Sequence, residues 1–167
     1  MMEGIDISTK LFAAINKQIG FELYSGYLYK SMAIYCKLNN FKGMAAWLNM
    51  QAHEENEHAE KMMEHLIDRG YKVVLPKIDE PPSNFKSVTE IFEKAYEHEK
   101  HVTANIHKLY KIALAEEDYP GQIMLQWFIK EQVEEEANAS EIVDRLKMIN
   151  GNLGAIFMLD HQLGMRK

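Results

Sequence analysis

Apolar residues recur every three or four positions along four long stretches of this chain, the spacing that gives an α-helix one face to bury. The first stretch, about 8–38, opens on Ser8 as an N-cap and turns inward Leu11, Ile15, Ile19, Glu22, Gly26, Tyr29, Ala33 and Cys36. Asn39-Asn40 breaks it. The second, about 41–69, carries Met44, Leu48, Ala52, Glu55, Ala59, Met62 and Leu66, and Gly70 suits a left-handed cap at its end. The third, about 88–116, starts on the capping box Ser87-Val88-Thr89-Glu90 and continues through Phe92, Ala95, Glu99, Val102, Ile106, Leu109 and Ala113. Asp118-Tyr119-Pro120 restarts the pattern for a fourth helix, about 119–150, with Met124, Phe128, Glu131, Glu135, Ile142, Leu146 and Ile149 inward. A short apolar segment, 153–163, predicts a fifth helix.

The links between these stretches predict their topology. Three of the four prolines, Pro76, Pro81 and Pro82, fall in 70–87, so the order of connections is short, long, short. Helices of about 28 residues are about 42 Å long, and the roughly 17 residues from Gly70 to Lys86 can stretch about 56 Å. The crossover can therefore return along the whole bundle. The expectation is an all-α single domain over 1–167, four helices with one long crossover between the second and third, plus a short fifth helix.

Charge and cysteine usage narrow the function. A formal charge of −6 disfavours nucleic acid as a partner, since phosphate tracking needs a net basic face. Cys36 is the only cysteine, so no intrachain disulfide and no Cys-x-x-Cys metal knuckle can form, and a reducing cytoplasm is the expected setting. Met1 to Lys10 is polar, and no apolar run approaches the roughly 18 residues of a membrane span.

The chemistry lies where the inward stripes are interrupted. A plain bundle would place leucine or alanine at the positions of Glu22, Glu55, Glu99 and Glu135, and burying such charges unpaired costs several kcal/mol each, of the order expected for isolated ions. All four fall near the middle of their helices, so they meet in one layer. His58 follows Glu55 by three residues, which sets imidazole and carboxylate on one helical face. Hard oxygen ligands with one imidazole suit iron or manganese, and four carboxylates neutralise two divalent ions. On the fourth helix a second Glu-x-x-His is replaced by Gln132-Val133-Glu134-Glu135, leaving the second metal oxygen ligands only.

Four segments make a resemblance specific: Phe21 to Tyr29 (FELYSGYLY), His53 to Lys61 (HEENEHAEK), Tyr96 to Glu99 (YEHE) and Gln126 to Glu136 (QWFIKEQVEEE). Through them the chain resembles the non-haem ferritins of bacteria and archaea, within the ferritin-like di-iron superfamily. That resemblance implies a ferritin-like bundle acting as a ferroxidase, an oxidoreductase that converts Fe(II) to Fe(III) with O2 or H2O2 and stores ferric mineral in a homo-oligomeric cage of twenty-four subunits. It implies two irons per centre: one site from Glu22, Glu55 and His58, another from Glu55, Glu99 and Glu135 with Gln132 nearby. Glu55 would bridge them, and Tyr29 would donate one electron. A third adjacent iron site is implied at Glu54, Glu131, Glu134 and Glu135. Asn56 stands where bacterioferritins carry a haem-ligating methionine, so no haem is expected.

Other features are read more plainly. Met32, Met44, Met62 and Met124 lie on apolar stripes as flexible filler. His53, His65, His98, His101, His107 and His161 lack a paired ligand in the inner layer and are expected at the surface or in incidental metal contact. Glu116, Glu117 and Asp118 offer an acidic pore mouth, because Gln122 and Leu125 replace the pore acids of animal ferritins. Residues 154–163 either cap the bundle or line a fourfold axis. A silent, ion-binding bundle and a di-iron oxygenase are the competing readings. The complete ligand set opposes the first, and Gln132-x-x-Glu135 opposes the second.

Overall fold

The computed structural model describes residues 9–167, so the cap expected at Ser8 lies outside the described residues. Five helices follow in order: α1 (Thr9–Leu38), α2 (Lys42–Asp68), α3 (Val88–Ala115), α4 (Tyr119–Ile149) and α5 (Leu153–Leu163). This is the expected four-helix bundle with a short terminal helix.

Local chemistry explains the boundaries. The Ser87 hydroxyl accepts from the Glu90 amide at 3.1 Å, while the Glu90 carboxylate reaches back to the Lys86 amide, one residue earlier than a strict capping box would. Asp118 accepts from the Gly121 amide at 2.9 Å to open α4, and Asn152 accepts from the Ala155 amide at 3.0 Å to open α5. Gly70 takes a φ of +76°, the left-handed conformation expected of it.

The crossover lies along α1. Asn16 exchanges two hydrogen bonds with Val74, at 2.8 and 3.0 Å, and the Ser31 hydroxyl donates to the Pro82 carbonyl at 2.7 Å. These anchors sit 15 residues apart on α1, about 22 Å at the helical rise. Gly20 lets the strap lie close, since a Cβ there would meet the Pro76 ring at 2.3 Å.

Two apolar cores result, one at each end of the bundle. One joins the C-terminal half of α1 and the start of α2 to the start of α3 and the end of α4, around Met32, Met44, Leu48, Phe92 and Leu146. The other joins the opposite ends, around Phe12, Ile19, Met62, Leu66, Ile106 and Phe128. Hence α2 and α3 run parallel, as a crossover spanning the bundle requires. Every inward position expected on the first three helices is buried, as are the four core methionines. On α4 the expectation needs correcting: Glu131 and Ile149 are only half-buried, and Gln132 takes the inward place beside Glu131.

Candidate metal centre

Between the two cores lies a layer of buried polar side chains. Glu22 and Glu99 are 0% exposed, Glu55 1%, and Glu135 and His58 4% each. Mid-helix placement in four helices of similar length brings them to one level, which is the arrangement the interrupted stripes predicted.

Glu22, Glu55 and His58 each place a ligand atom within 4.8 Å of the other two; His58, Glu131 and Glu135 do the same. His58 thus stands between two groups that could each hold a cation. Glu22 Oε2, both oxygens of Glu55 and His58 Nδ1 are buried without a hydrogen-bond partner. Such orphans cost about 1–3 kcal/mol each, more when charged, so their convergence in one layer points to a ligand that satisfies them together.

Other oxygens of the layer are held. Gln18 donates to Glu22 Oε1 at 2.8 Å, and Gln51 donates to Glu135 Oε2 at 2.8 Å. Glu99 accepts from the Tyr29 hydroxyl and from Gln132 Nε2 at 3.1 Å; the same amide reaches the Glu99 carbonyl at 3.3 Å and Thr103 at 3.2 Å. Glu22 therefore has one oxygen fixed and one without a hydrogen bond, and neither Glu55 oxygen is hydrogen-bonded, Oε2 lying 3.5 Å from His58 Nδ1.

Electrostatics agree with a site built for cations. Burial, followed by the charges of Glu99 and Glu22, pushes the Glu55 carboxyl well above the usual carboxylate range. Burial raises Glu99 to about 7 against the opposing hydrogen bonds from Tyr29 and Gln132. Burial and the Glu99 charge raise Glu135 to about 7, with the Gln51 hydrogen bond opposing. Burial and then Glu99 lift the Tyr29 phenol well above its ordinary value. A divalent cation held by these carboxylates would displace their protons and lower their pKa values.

Of the other expected site residues, Glu54 is half-buried and paired with Arg166 at 2.8 and 2.9 Å, while Glu134 is exposed. Sequence reasoning missed Gln18 and Gln51, the two amides that orient Glu22 and Glu135. It also missed Trp127, whose ring meets His58 edge-to-face at 5.6 Å and carries Lys61 at 4.3 Å. The i,i+4 spacing of Gln18 and Glu22 was the available signal for the first of these.

His98 corrects a further expectation. It is buried rather than at the surface, stacked on Phe21 at 5.3 Å and hydrogen-bonded to the Ser25 hydroxyl at 2.6 Å, and burial lowers it to about 4. Asp118 is likewise turned inward: it accepts from Arg69 at 2.8 and 2.9 Å as well as capping α4, which removes it from an acidic pore mouth.

A bundle with this crossover and this carboxylate layer defines a ferritin-like domain, and the family model of that description matches residues 12–149, so the chain belongs to the ferritin family. A bacterial non-heme ferritin of Bacteroides fragilis is 44% identical over 160 residues, covering 96% of this chain and 99% of that one. Another, from Campylobacter jejuni, is 36% identical over 157 residues, 94% of each. Among solved structures, an open-pore ferritin from the archaeon Archaeoglobus fulgidus is 43% identical with a TM-score of 0.96, covering 97% of this chain and 100% of that one. Among the described residues, no helix is long and apolar enough to cross a membrane.

Proposed function

We propose that this chain is an iron-storage ferroxidase: two Fe(II) ions bind in the mid-bundle layer, are oxidised by O2 or peroxide, and pass as ferric product into the cavity of a homo-oligomeric shell. The observation that carries this reading is the set of buried ligand atoms without a hydrogen bond on Glu22, Glu55 and His58. One iron takes Glu22, Glu55 and His58. The other would take Glu55, Glu99 and Glu135 with Gln132 beside it, and Glu55, without a hydrogen bond at either oxygen, would bridge the pair. Each Fe(II) gives up one electron; O2 accepts two electrons and two protons and leaves as H2O2. When peroxide is the oxidant, two further electrons and two protons convert it to two waters.

Within this scheme the chain's own groups have distinct tasks. Gln18 and Gln51 hold one oxygen of Glu22 and Glu135, so the other oxygen faces the cation without rotamer loss. Tyr29, bonded to Glu99, supplies one of the two electrons that reduce peroxide when a single Fe(II) supplies the other, its proton passing to the Glu99 carboxylate. Glu54, Glu131, Glu134 and Glu135 form an outer cation site toward the cavity. One ferritin-like domain spans 1–167, works in the cytoplasm, and assembles to twenty-four copies without haem.

Fe(II) added in air to the metal-free protein, followed by ferric absorbance, tests the reading. A rate well above that of buffer is expected, with the fast phase lost in Glu55→Ala; a rate equal to buffer overturns ferroxidation. Size-exclusion at neutral pH tests the shell, and elution as a monomer or dimer contradicts storage.

A further inference from the structure

The last turn of the chain reaches the acidic side of the metal layer. Gly43 permits this: a Cβ there would lie 1.7 Å from the Asp160 carbonyl oxygen, so only glycine lets α5 lie this close to the start of α2. The Met44 amide then donates to the Asp160 carboxylate at 2.8 Å and fixes the register of α5. With α5 docked, the segment after it carries Arg166 back along α2.

There the guanidinium is held on three sides. Nη2 donates to both oxygens of Glu54, at 2.8 and 2.9 Å; Nη1 donates to the Gln51 carbonyl; and the plane sits 5.0 Å from the centre of the Trp47 ring. Gln51 has its carbonyl committed to Arg166, so its amide nitrogen faces Glu135, to which it donates at 2.8 Å. A single cationic side chain from the C-terminus therefore neutralises Glu54 and sets the amide orientation that holds Glu135.

We propose that Arg166 is a built-in stand-in cation for the outer site: it occupies Glu54 when that site is empty, and an entering divalent ion takes Glu54 by displacing the guanidinium. The inference rests on the proposed function, because the acids it concerns are those of the outer site. Arg166 and a metal ion at Glu54 carry like charge and use the same two oxygens, so the two occupancies exclude each other. Arg166 is a positioning residue in this scheme, acting through Gln51 on Glu135, and it keeps the outer site weak so that an ion there moves on.

Calorimetric titration of the assembled, metal-free protein with Zn(II), which is redox-inert, reads this directly. The native chain is expected to bind a weak outer ion in addition to its tighter ones. Arg166→Gln tightens the outer ion about tenfold, within the usual range of coupling between sites, and leaves the ion at Glu22, Glu55 and His58 unchanged. Arg166→Lys, which keeps the charge without the fork, falls between them. A purely structural role for Arg166 lowers thermal stability without strengthening any binding step. Equal or weaker outer binding in Arg166→Gln overturns the proposal while leaving the ferroxidase reading intact. Absence of Zn(II) binding in both proteins overturns the two together.

Discussion

The Tyr29 hydroxyl donates to Glu99 inside a layer from which solvent is excluded, both residues being 0% exposed. A phenol there packs within one apolar cluster and also ties a carboxylate of the proposed site to an oxidisable ring. The two roles separate in Tyr29→Phe, which keeps the ring and removes the hydroxyl. Stability should fall by about 0.5–1.5 kcal/mol for the lost hydrogen bond, and Zn(II) stoichiometry should be unchanged. Stopped-flow oxidation of Fe(II) should slow and lose any tyrosyl radical signal. An unchanged rate with no radical in the native protein would remove Tyr29 from electron transfer.

The metal-free protein should lose stability as pH rises. Glu99 and Glu135 have an ordinary value of 4.5 and are raised to about 7 in the folded chain. The folded state therefore binds more protons than the unfolded state between these values, and the stability they contribute is fully present below pH 4.5 and lost as pH passes 7. Scanning calorimetry should show Tm falling from about pH 5 to pH 8, with a shallower slope in Glu99→Gln and in the Zn(II)-loaded protein. A Tm that rises over this window in all three would contradict the buried-acid account.

Gly43→Ala should undock α5. The added methyl collides with backbone, which cannot yield as a side-chain tip does, so a cost of about 1–3 kcal/mol is expected. Hydrogen exchange should accelerate in 153–163 while α1 to α4 keep their protection. Protection unchanged in α5 would mean the helix is held by something other than this close approach.

Asp118→Ala distinguishes a structural acid from a pore acid. Loss of the α4 cap and of the Arg69 partner should cost about 2–4 kcal/mol. A lowered Tm with iron uptake otherwise intact is the expected result; slowed uptake at unchanged Tm would restore the pore-mouth role.

Much of this arrangement was legible in the chain. Glu22, Glu55, Glu99 and Glu135 stood out because each breaks an apolar stripe at mid-length, and length alone aligned them. The topology followed from three prolines in one link. What stayed hidden has physical causes. Gln18 and Gln51 sit at the flank of their stripes, where an amide reads as half-exposed, and only side-chain direction shows that each reaches a carboxylate. His98 looked superficial because its partners Phe21 and Ser25 come from another helix. Arg166 follows the last periodic segment, and no spacing rule connects a tail residue to Glu54 more than a hundred positions earlier.

The doubled core has one more consequence. Each apolar cluster contains side chains from all four long helices, so the height of every helix is clamped twice, above and below the acids. Sliding one helix by a turn, about 5.4 Å, would misalign both clamps at once, whereas trimming a side chain in one clamp leaves the other to hold the level. Ligand alignment in this molecule is thus redundantly secured, and wear at either end of the bundle should reach the chemistry late.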